Sequence, residues 1–172
     1  MKQAFAAAVI AALSASAFAA GNGNPGTITF NGEIVAGACG ISGDTLDQTV
    51  SLGQVPANLF SKLGDRSQAT PFNIQLTDCD TSTAKNAYFT FTGTADTVTP
   101  GLFATTGSAA NVGVRLQTAS GEYLDNGAEQ KAPVVLSNGN NTVQFAAMYE
   151  STAATVTPGL ANSVANFTVR YQ

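Results

Sequence analysis

The sequence predicts an all-β fold, and within that class a β-sandwich. Short segments in which apolar and polar residues alternate recur along the chain, and residues that favour turns lie between them. Only residues 56–63 have the spacing of a brief helical turn, which Gly64 would close. Evenly spaced short strands with so little helix are typical of two packed sheets.

Each predicted strand depends on its own alternating segment. Asn138-Gly139 is a strong hairpin-type turn signal between the apolar residues 134–136 and the alternating residues 143–149. Residues 96–110, which contain Pro and Gly, predict a long loop. The predicted strands are residues 27–30 continued by 33–35, 49–52, 72–76, 87–91, 112–116, 134–136, 143–149 and 164–171.

The first of these segments has two interpretations. Residues 27–30 and 33–35 are joined around Asn31-Gly32, and they could form one long strand with a bulge or a turn. Alternatively, residues 27–30 belong to no strand of their own domain. The alternation alone does not choose between the two.

The amino terminus predicts a secretory signal peptide over residues 1–19. Lys2 precedes a short Ala-rich apolar run, and Ala17 and Ala19 supply an Ala-x-Ala cleavage site. The run is shorter than the ~20 strongly apolar residues of a membrane-spanning helix. We therefore expect export, with no stable membrane insertion after cleavage.

Export gives a meaning to Cys39 and Cys79, the only two cysteines. In an oxidising compartment, a lone pair is most simply one disulfide. A zinc site is the alternative, but the sequence contains no His and no third Cys to complete the usual ligand set.

Charge and composition argue against several function classes. The formal net charge is -4 and no basic run exists, which disfavours nucleic-acid binding. Without His, the sequence lacks a Ser-His-Asp or Cys-His arrangement. Asp78 and Asp80 flank Cys79, where carboxylates are more typical of a turn than of catalysis. We predict that the protein is not an enzyme and needs no cofactor.

Four segments of the chain, together with its cysteine placement, resemble a known family. With Tyr171 as the penultimate residue and Gly159 as the fourteenth counted from the carboxyl terminus, the chain is similar to the major structural pilins of chaperone-usher fimbriae, closest to type 1 fimbrial subunits. The resemblance runs from Gly26 to Gln172. Its segments are residues 27–35 leading to Cys39, residues 71–80, residues 110–116 and residues 167–172.

The resemblance implies an incomplete immunoglobulin-like β-sandwich. This six-stranded pilin fold lacks its last strand and is completed by a donor strand from a neighbouring subunit. The implied organisation is a signal peptide over residues 1–19, an N-terminal donor-strand extension over residues 20–32 and a pilin domain over residues 33–172. The implied partners are neighbouring pilin subunits in a homopolymer, a periplasmic chaperone and an outer-membrane usher. The expected location is the fimbrium at the cell surface, reached through the periplasm.

The family pattern assigns roles to particular residues. Gly26, Ile28 and Phe30 would be donor-strand residues that enter the groove of the next subunit. The stretch before Gly26 is rich in Gly and Asn and offers no apolar residue for the far end of that groove. Either the Ile28 and Phe30 end anchors the strand, or the far pocket is shallow. The residues expected to line the chaperone and subunit groove are Gly159, Phe167, Val169, Tyr171 and Gln172.

Two other functions stay open at this point. The chain could be a minor, adaptor or tip adhesin subunit of the same type of fimbria. It could also be a secreted, self-contained β-sandwich binding module, which would fold as a stable monomer without a chaperone.

Overall fold

The computed structural model describes residues 26–34 and 36–172. The predicted signal peptide and residues 20–25 of the predicted extension lie outside the described residues. The chain divides into two units, residues 1–34 and residues 35–172. Among the described residues, all helices and strands belong to the second unit.

The second unit consists of two antiparallel β-sheets, which confirms the predicted all-β, immunoglobulin-like pilin class. The larger sheet has six strands and the smaller sheet three. The strands are β1 (Gly40–Ile41), β2 (Thr70–Cys79), β3 (Asn86–Gly93), β4 (Phe103–Ala104), β5 (Val112–Thr118), β6 (Tyr123–Leu124), β7 (Val134–Val135), β8 (Gly139–Ser151) and β9 (Ala165–Tyr171).

The larger sheet has the order β1-β2-β8-β5-β4, and β6 pairs with β5. Its registers place apolar residues opposite one another, as in the Phe72–Phe145 pair of β2 and β8. The smaller sheet has the order β7-β3-β9. Here Phe89 of β3 lies opposite Val169 of β9. In both sheets, one alternating row of each main strand therefore faces a shared core.

Phenylalanine rings from both sheets form the centre of the core. Phe145 of β8 lies 5.1 Å, centroid to centroid, from Phe89 and also from Phe91 of β3, in edge-to-face contacts. Phe167 of β9 packs 6.2 Å from Phe91. Such pairs add to the stabilisation that burial of the rings gives. The aromatic cluster consequently joins β9 to the larger sheet through β3.

The predicted disulfide is present between Cys39 and Cys79, which are both buried. It ties the start of the domain to the end of β2. The backbone beside it is irregular, because the β2–β8 register shifts between Leu76 and Cys79 and Asp78 has a φ of 51°. The hydrogen bond from Asp80 N–H to the Ala38 carbonyl holds the two Cys-containing segments together.

Residues 49–52 do not form the strand that their alternation predicts. The structure gives this segment no secondary structure, and Thr49 and Ser51 are exposed. A strand needs a ladder partner for its backbone, and among the described residues none lies beside this segment. Alternation indicated which side chains face the core, but it did not show whether a neighbour exists.

The predicted hairpin around Asn138-Gly139 is also wrong. Val134 and Val135 pair with β3 in the smaller sheet, whereas β8 belongs to the larger one. Side-chain hydrogen bonds nevertheless hold this segment in place. The Asn141 side-chain oxygen accepts a hydrogen bond from Ser137 N–H, and the Asn141 side-chain nitrogen donates one to the Ser137 carbonyl. The segment therefore crosses between the two sheets instead of joining neighbouring strands.

The helical content is small, as predicted. A short 3-10 turn, Ala57–Leu59, lies within the expected helical residues 56–63, and Gly64 follows with a φ of 83°. A four-residue helix, α1 (Gly43–Leu46), has no clear signal in the sequence. The long loop over residues 96–110 contains the two-residue strand β4.

A charged cluster lies on the larger sheet at β5 and β8. The Glu150 carboxylate accepts hydrogen bonds from Arg115 Nε at 3.0 Å and from Arg66 Nε at 2.6 Å. Asp125 accepts a further bond from Arg115 at 2.6 Å. Glu150 and Arg115 are only 5% and 7% exposed. Since the guanidinium groups satisfy the buried carboxylate, the cluster links the strands without leaving an unpaired charge.

Candidate subunit groove

Strand β9 has one paired edge and one open edge. Every residue from Ala165 to Tyr171 pairs with β3. Among the described residues, no strand pairs with the opposite edge of β9. An edge of this kind presents main-chain donors and acceptors to any strand that can lie beside it.

The inward row of β9 is only half covered. Phe167, Val169 and Tyr171 are partly buried and pack against the core, while Thr168 and Arg170 are exposed on the other face. Most core rows in β2, β3 and β8 are fully buried, as Ile74 and Phe89 show at 0% exposure. Within residues 26–34 and 36–172, no strand lies next to β9 on the side away from β3.

A groove of about 750 Å³ lies beside the amino-terminal part of β9. Of the predicted groove residues, its lining contains Phe167 but not Val169, Tyr171 or Gln172. One wall is formed by residues 45–46 and 48–53 and the other by residues 161–165 and Phe167. Core side chains form the floor. Those in the lining are Phe72, Ile74, Phe91, Phe103, Val114, Leu116, Ala147 and Tyr149.

A second cavity of about 340 Å³ continues the groove beyond the amino-terminal end of β9. The two cavities share Gly53, Tyr149, Ala161 and Asn162 in their linings. The Tyr149 hydroxyl donates a 2.7 Å hydrogen bond to the Ala161 carbonyl at this junction. Burial raises the pKa of Tyr149, so the phenol stays protonated and keeps that bond at neutral pH.

Gly159 lies in the wall of this second cavity. A Cβ at this position would be 2.5 Å from the Ala109 backbone nitrogen, which no side chain could tolerate without a shift. The close approach is fixed by hydrogen bonds on both sides of the glycine, between Ala109 N–H and the Leu160 carbonyl and between Thr157 and Ala110. Gly159 therefore allows the wall to pack against residues 106–110.

The carboxyl-terminal end of β9 is tied to the start of β3 and to the disulfide region. A main-chain carboxylate oxygen of Gln172 accepts hydrogen bonds from Lys85 and Asn86 N–H, and the Gln172 N–H donates to the Asn86 carbonyl. Burial raises the pKa of Tyr171, whose ring packs in the core beside Gly37. These contacts fix the position of the last residues of the strand.

Gly26, Ile28 and Phe30 lie in the first unit. Residues 26–34 have no secondary structure, in agreement with the second interpretation of this segment. Ile28 is 78% exposed and Phe30 is 89% exposed. Gly26, Ile28 and Phe30 therefore belong to a different unit from Phe167, Val169 and Tyr171.

The residues predicted from the sequence did not include the continuation of this alternating row or one wall of the groove. Gly32 and Ile34 continue the period-two row of Gly26, Ile28 and Phe30, and Ile34 is fully exposed at 102%. The signal was present in the alternation, but the turn-like Asn31-Gly32 pair obscured it. In the wall over residues 45–53, the alternation of residues 49–52 predicted a strand, so the sequence did not identify this segment as part of a groove.

No alternative chemistry is evident within the described part of the chain. In residues 26–34 and 36–172, no three His, Cys, Asp or Glu side chains are grouped so that they could hold a metal ion. No helix among the same residues is long and apolar enough to cross a membrane.

Comparisons with known proteins agree on one family. The family model described as Fimbrial protein matches residues 28–172. The chain is 45% identical to a fimbrial subunit type 1 of Klebsiella pneumoniae, over 95% of each chain. It is 43% identical to the type-1 fimbrial protein, A chain, of Escherichia coli K12, again over 95% of each.

Solved structures show the same relationship. A subunit from a chaperone-usher pilus has a TM-score of 0.74 at 28% identity, covering 87% of this chain and 96% of that one. The P pilus rod subunit PapA has a TM-score of 0.68 at 26% identity, covering 79% of this chain and all of that one.

Proposed function

The chain belongs to the fimbrial protein family as a structural, non-enzymatic subunit of a chaperone-usher fimbria, and we propose that it polymerises by donor-strand exchange to form the shaft used in bacterial adhesion. The observation that carries the proposal is the open edge of β9 beside an apolar groove. The residues offered to a neighbour's groove are those of the exposed row that starts at Gly26.

The alternating row suits the apolar groove in its chemistry. Ile28, Phe30 and Ile34 share one face of an extended segment, and the polar residues between them share the other. Nine residues in strand conformation span about 27 Å. Burying each large side chain contributes about 1.5–3 kcal/mol, and main-chain pairing with β9 fixes the register.

Direction along β9 decides which residue fills the second cavity. In an antiparallel arrangement, Gly26 lies near Tyr171 and Ile34 lies at the far end near Gly159. Ile34 then supplies the apolar side chain for the far cavity. The stretch directly before Gly26, which offers no apolar side chain, is not needed there. We therefore add Gly32 and Ile34 to the proposed donor row of Gly26, Ile28 and Phe30. The pilin domain, which includes Gln172, follows this row in the sequence.

Before a subunit assembles, the open edge of β9 and the apolar groove beside it need a temporary partner strand. An unpaired strand edge beside apolar side chains promotes aggregation, and strand addition removes it. A periplasmic chaperone would supply a temporary strand along Phe167, Val169 and Tyr171, with its basic anchor on the Gln172 carboxylate. An outer-membrane usher would then be the place where the next subunit replaces that strand.

The test is a pair of charge substitutions on opposite faces of the proposed donor row. Phe30→Asp would place a carboxylate in the neighbour's groove, whereas Thr29→Asp would place the same carboxylate outside it. Phe30 is 89% exposed, so its replacement should leave the fold of the free subunit intact. We expect Phe30→Asp subunits to be folded and to form no fibres in electron micrographs, while Thr29→Asp subunits polymerise. Normal fibres from the Phe30→Asp variant would overturn the proposal.

A further inference from the structure

The proposed donor row contains a site of spontaneous chemical modification at Asn31-Gly32. In the described part of the chain, neither residue makes a hydrogen bond, both are exposed, and a Cβ at Gly32 would have no atom within 4 Å. Glycine offers the least steric hindrance to attack by its own main-chain nitrogen. The Asn31 side-chain amide is therefore open to that nitrogen.

Hydrogen bonds protect two other Asn-Gly pairs of this protein from attack on the asparagine side-chain amide. At Asn126-Gly127, the Gly127 N–H donates a 2.8 Å hydrogen bond to the Phe91 carbonyl. The Asn126 amide is itself bonded to Gly93 N–H at 3.0 Å and to the Gly93 carbonyl at 3.1 Å. Attack on the Asn126 amide would require these bonds to open first.

At Asn138-Gly139, the side-chain oxygen of Asn138 accepts hydrogen bonds from Thr81 N–H at 2.8 Å and from Thr81 Oγ1 at 2.7 Å. The asparagine is thus held on a neighbouring segment. Only the Asn31-Gly32 pair lacks such restraints among the three that the structure describes.

We propose that Asn31 deamidates in the unassembled subunit, that insertion of the donor row into a neighbour prevents this reaction, and that the isoaspartate product inactivates the donor row. The inference rests on the donor-strand function proposed above. The Gly32 nitrogen bonds to Cγ of Asn31, the Cγ–Nδ2 bond breaks, and ammonia leaves with the proton of the Gly32 amide. Water then opens the resulting succinimide, giving aspartate when it cleaves at Cγ and isoaspartate when it cleaves at the main-chain carbonyl carbon of residue 31.

Isoaspartate would damage the row because it adds one methylene to the main chain. The added atom lies between Phe30 and Ile34, so the two side chains no longer share one face at strand spacing. Once the segment pairs with β9 of a neighbour, the Gly32 amide would be held in an extended ladder and could not approach the side chain. Assembly and deamidation would therefore compete for the same free segment.

The test compares unpolymerised subunits and fibres taken from the same cells and incubated in mildly alkaline buffer. Peptide mapping by mass spectrometry measures aspartate and isoaspartate at residue 31, with Asn126 and Asn138 as internal controls. We expect conversion at Asn31 of the free subunit, at least about tenfold slower conversion in fibres because local opening is needed there, and intact Asn126 and Asn138. Intact Asn31 in the free subunit, or equal rates in fibres, would overturn the proposal.

A second arm measures the consequence with the full chain. Wild-type, Asn31→Gln and Asn22→Gln subunits are aged equally, and fibre formation is then compared. We expect aged Asn31→Gln subunits to retain fibre formation, since the glutamine ring closure is slower, while aged wild-type and Asn22→Gln subunits lose it in proportion to isoaspartate at residue 31. Equal fibre formation by aged wild-type and Asn31→Gln subunits would contradict inactivation. Fresh Phe30→Asp subunits tell the two proposals apart, because their polymerisation would refute the donor row itself, whatever happens at Asn31.

Discussion

The Tyr171 hydroxyl lies 3.4 Å from the main-chain carbonyl oxygen of Cys39. The penultimate residue of the chain therefore contacts one of the two disulfide-bonded cysteines. The Tyr171 ring also packs where a side chain on Gly37 would have to be, with Cε2 2.9 Å from the position of a Cβ. The end of β9 and the beginning of the domain are therefore one packed unit. The contact fixes the position of the carboxyl-terminal end of β9.

Tyr171→Ala should weaken the packing of this end of β9. Because the ring is partly buried, its loss should lower the free energy of unfolding by about 2 kcal/mol, below the value for a fully buried aromatic residue. Lower periplasmic abundance and fewer fibres should follow. Tyr171→Phe is the matched control and should behave like the wild type, since the hydroxyl contact is long. Unchanged abundance of Tyr171→Ala, measured by immunoblotting of periplasmic extracts, would count against the role of this residue.

Removal of the disulfide should affect stability more strongly. Replacing both Cys39 and Cys79 by Ser frees a loop with a sequence separation of 40 residues, and the chain-entropy relation gives about 4 kcal/mol for a loop of this size. We expect a lower midpoint in urea unfolding, and wild-type protein treated with reductant should approach the same midpoint. A variant as stable as the oxidised wild type would show that the disulfide is dispensable.

Glu150 should make stability depend on pH in the acidic range. Burial alone would raise the pKa of its carboxyl group, but hydrogen bonds from Arg115 and Arg66 outweigh that effect and hold the pKa below 4.5. The folded state therefore binds this proton more weakly than the unfolded state. The contribution of Glu150 is complete above its unfolded pKa and is lost as the pH falls through the lower, folded value.

The measurement is urea unfolding from neutral to acidic pH. Glu150→Gln should be less stable than the wild type by about 3 kcal/mol at neutral pH, because it leaves the buried Arg115 guanidinium with only the exposed Asp125 carboxylate as a charged partner. The difference should shrink as the pH falls below 4.5. Asp47→Asn, at an exposed position, is the control and should follow the wild type. A constant difference between wild type and Glu150→Gln across this range would contradict the assignment.

The fold class was predictable from the sequence because alternation records which side chains face a core. It located β2, β3, β5, β8 and β9 to within a few residues. It could not show strand partners, so residues 134–136 were placed in a hairpin with β8 although β7 pairs with β3. Neighbours in a sheet are set by long-range packing that a local pattern does not contain.

The groove was predictable in part for the same reason. The row of Phe167, Val169 and Tyr171 was visible as alternation, and the family resemblance gave it a meaning. The far cavity near Gly159 and the unstructured wall opposite β9 depend on close approaches between distant segments. Ile34 was not included in the predicted donor row because Asn31-Gly32 has the composition of a turn, although the described segment forms none.

The most direct test of donor-strand exchange mixes two subunits that each lack one half of the contact. One lacks residues 20–34 and keeps its groove. The other keeps its donor row and carries Ala161→Trp, which places a bulky side chain where the two cavities meet. Ala119→Trp, at an exposed turn away from the groove lining, is the control for the added tryptophan and should form fibres alone.

The measurement is the mass of the mixture by light scattering after size-exclusion chromatography. Each defective subunit alone should remain free of fibres, and the mixture should give a one-to-one heterodimer that cannot grow, because one donor row fills one groove and no further pair is left. Long polymers from either subunit alone, or no heterodimer from the mixture, would contradict the account.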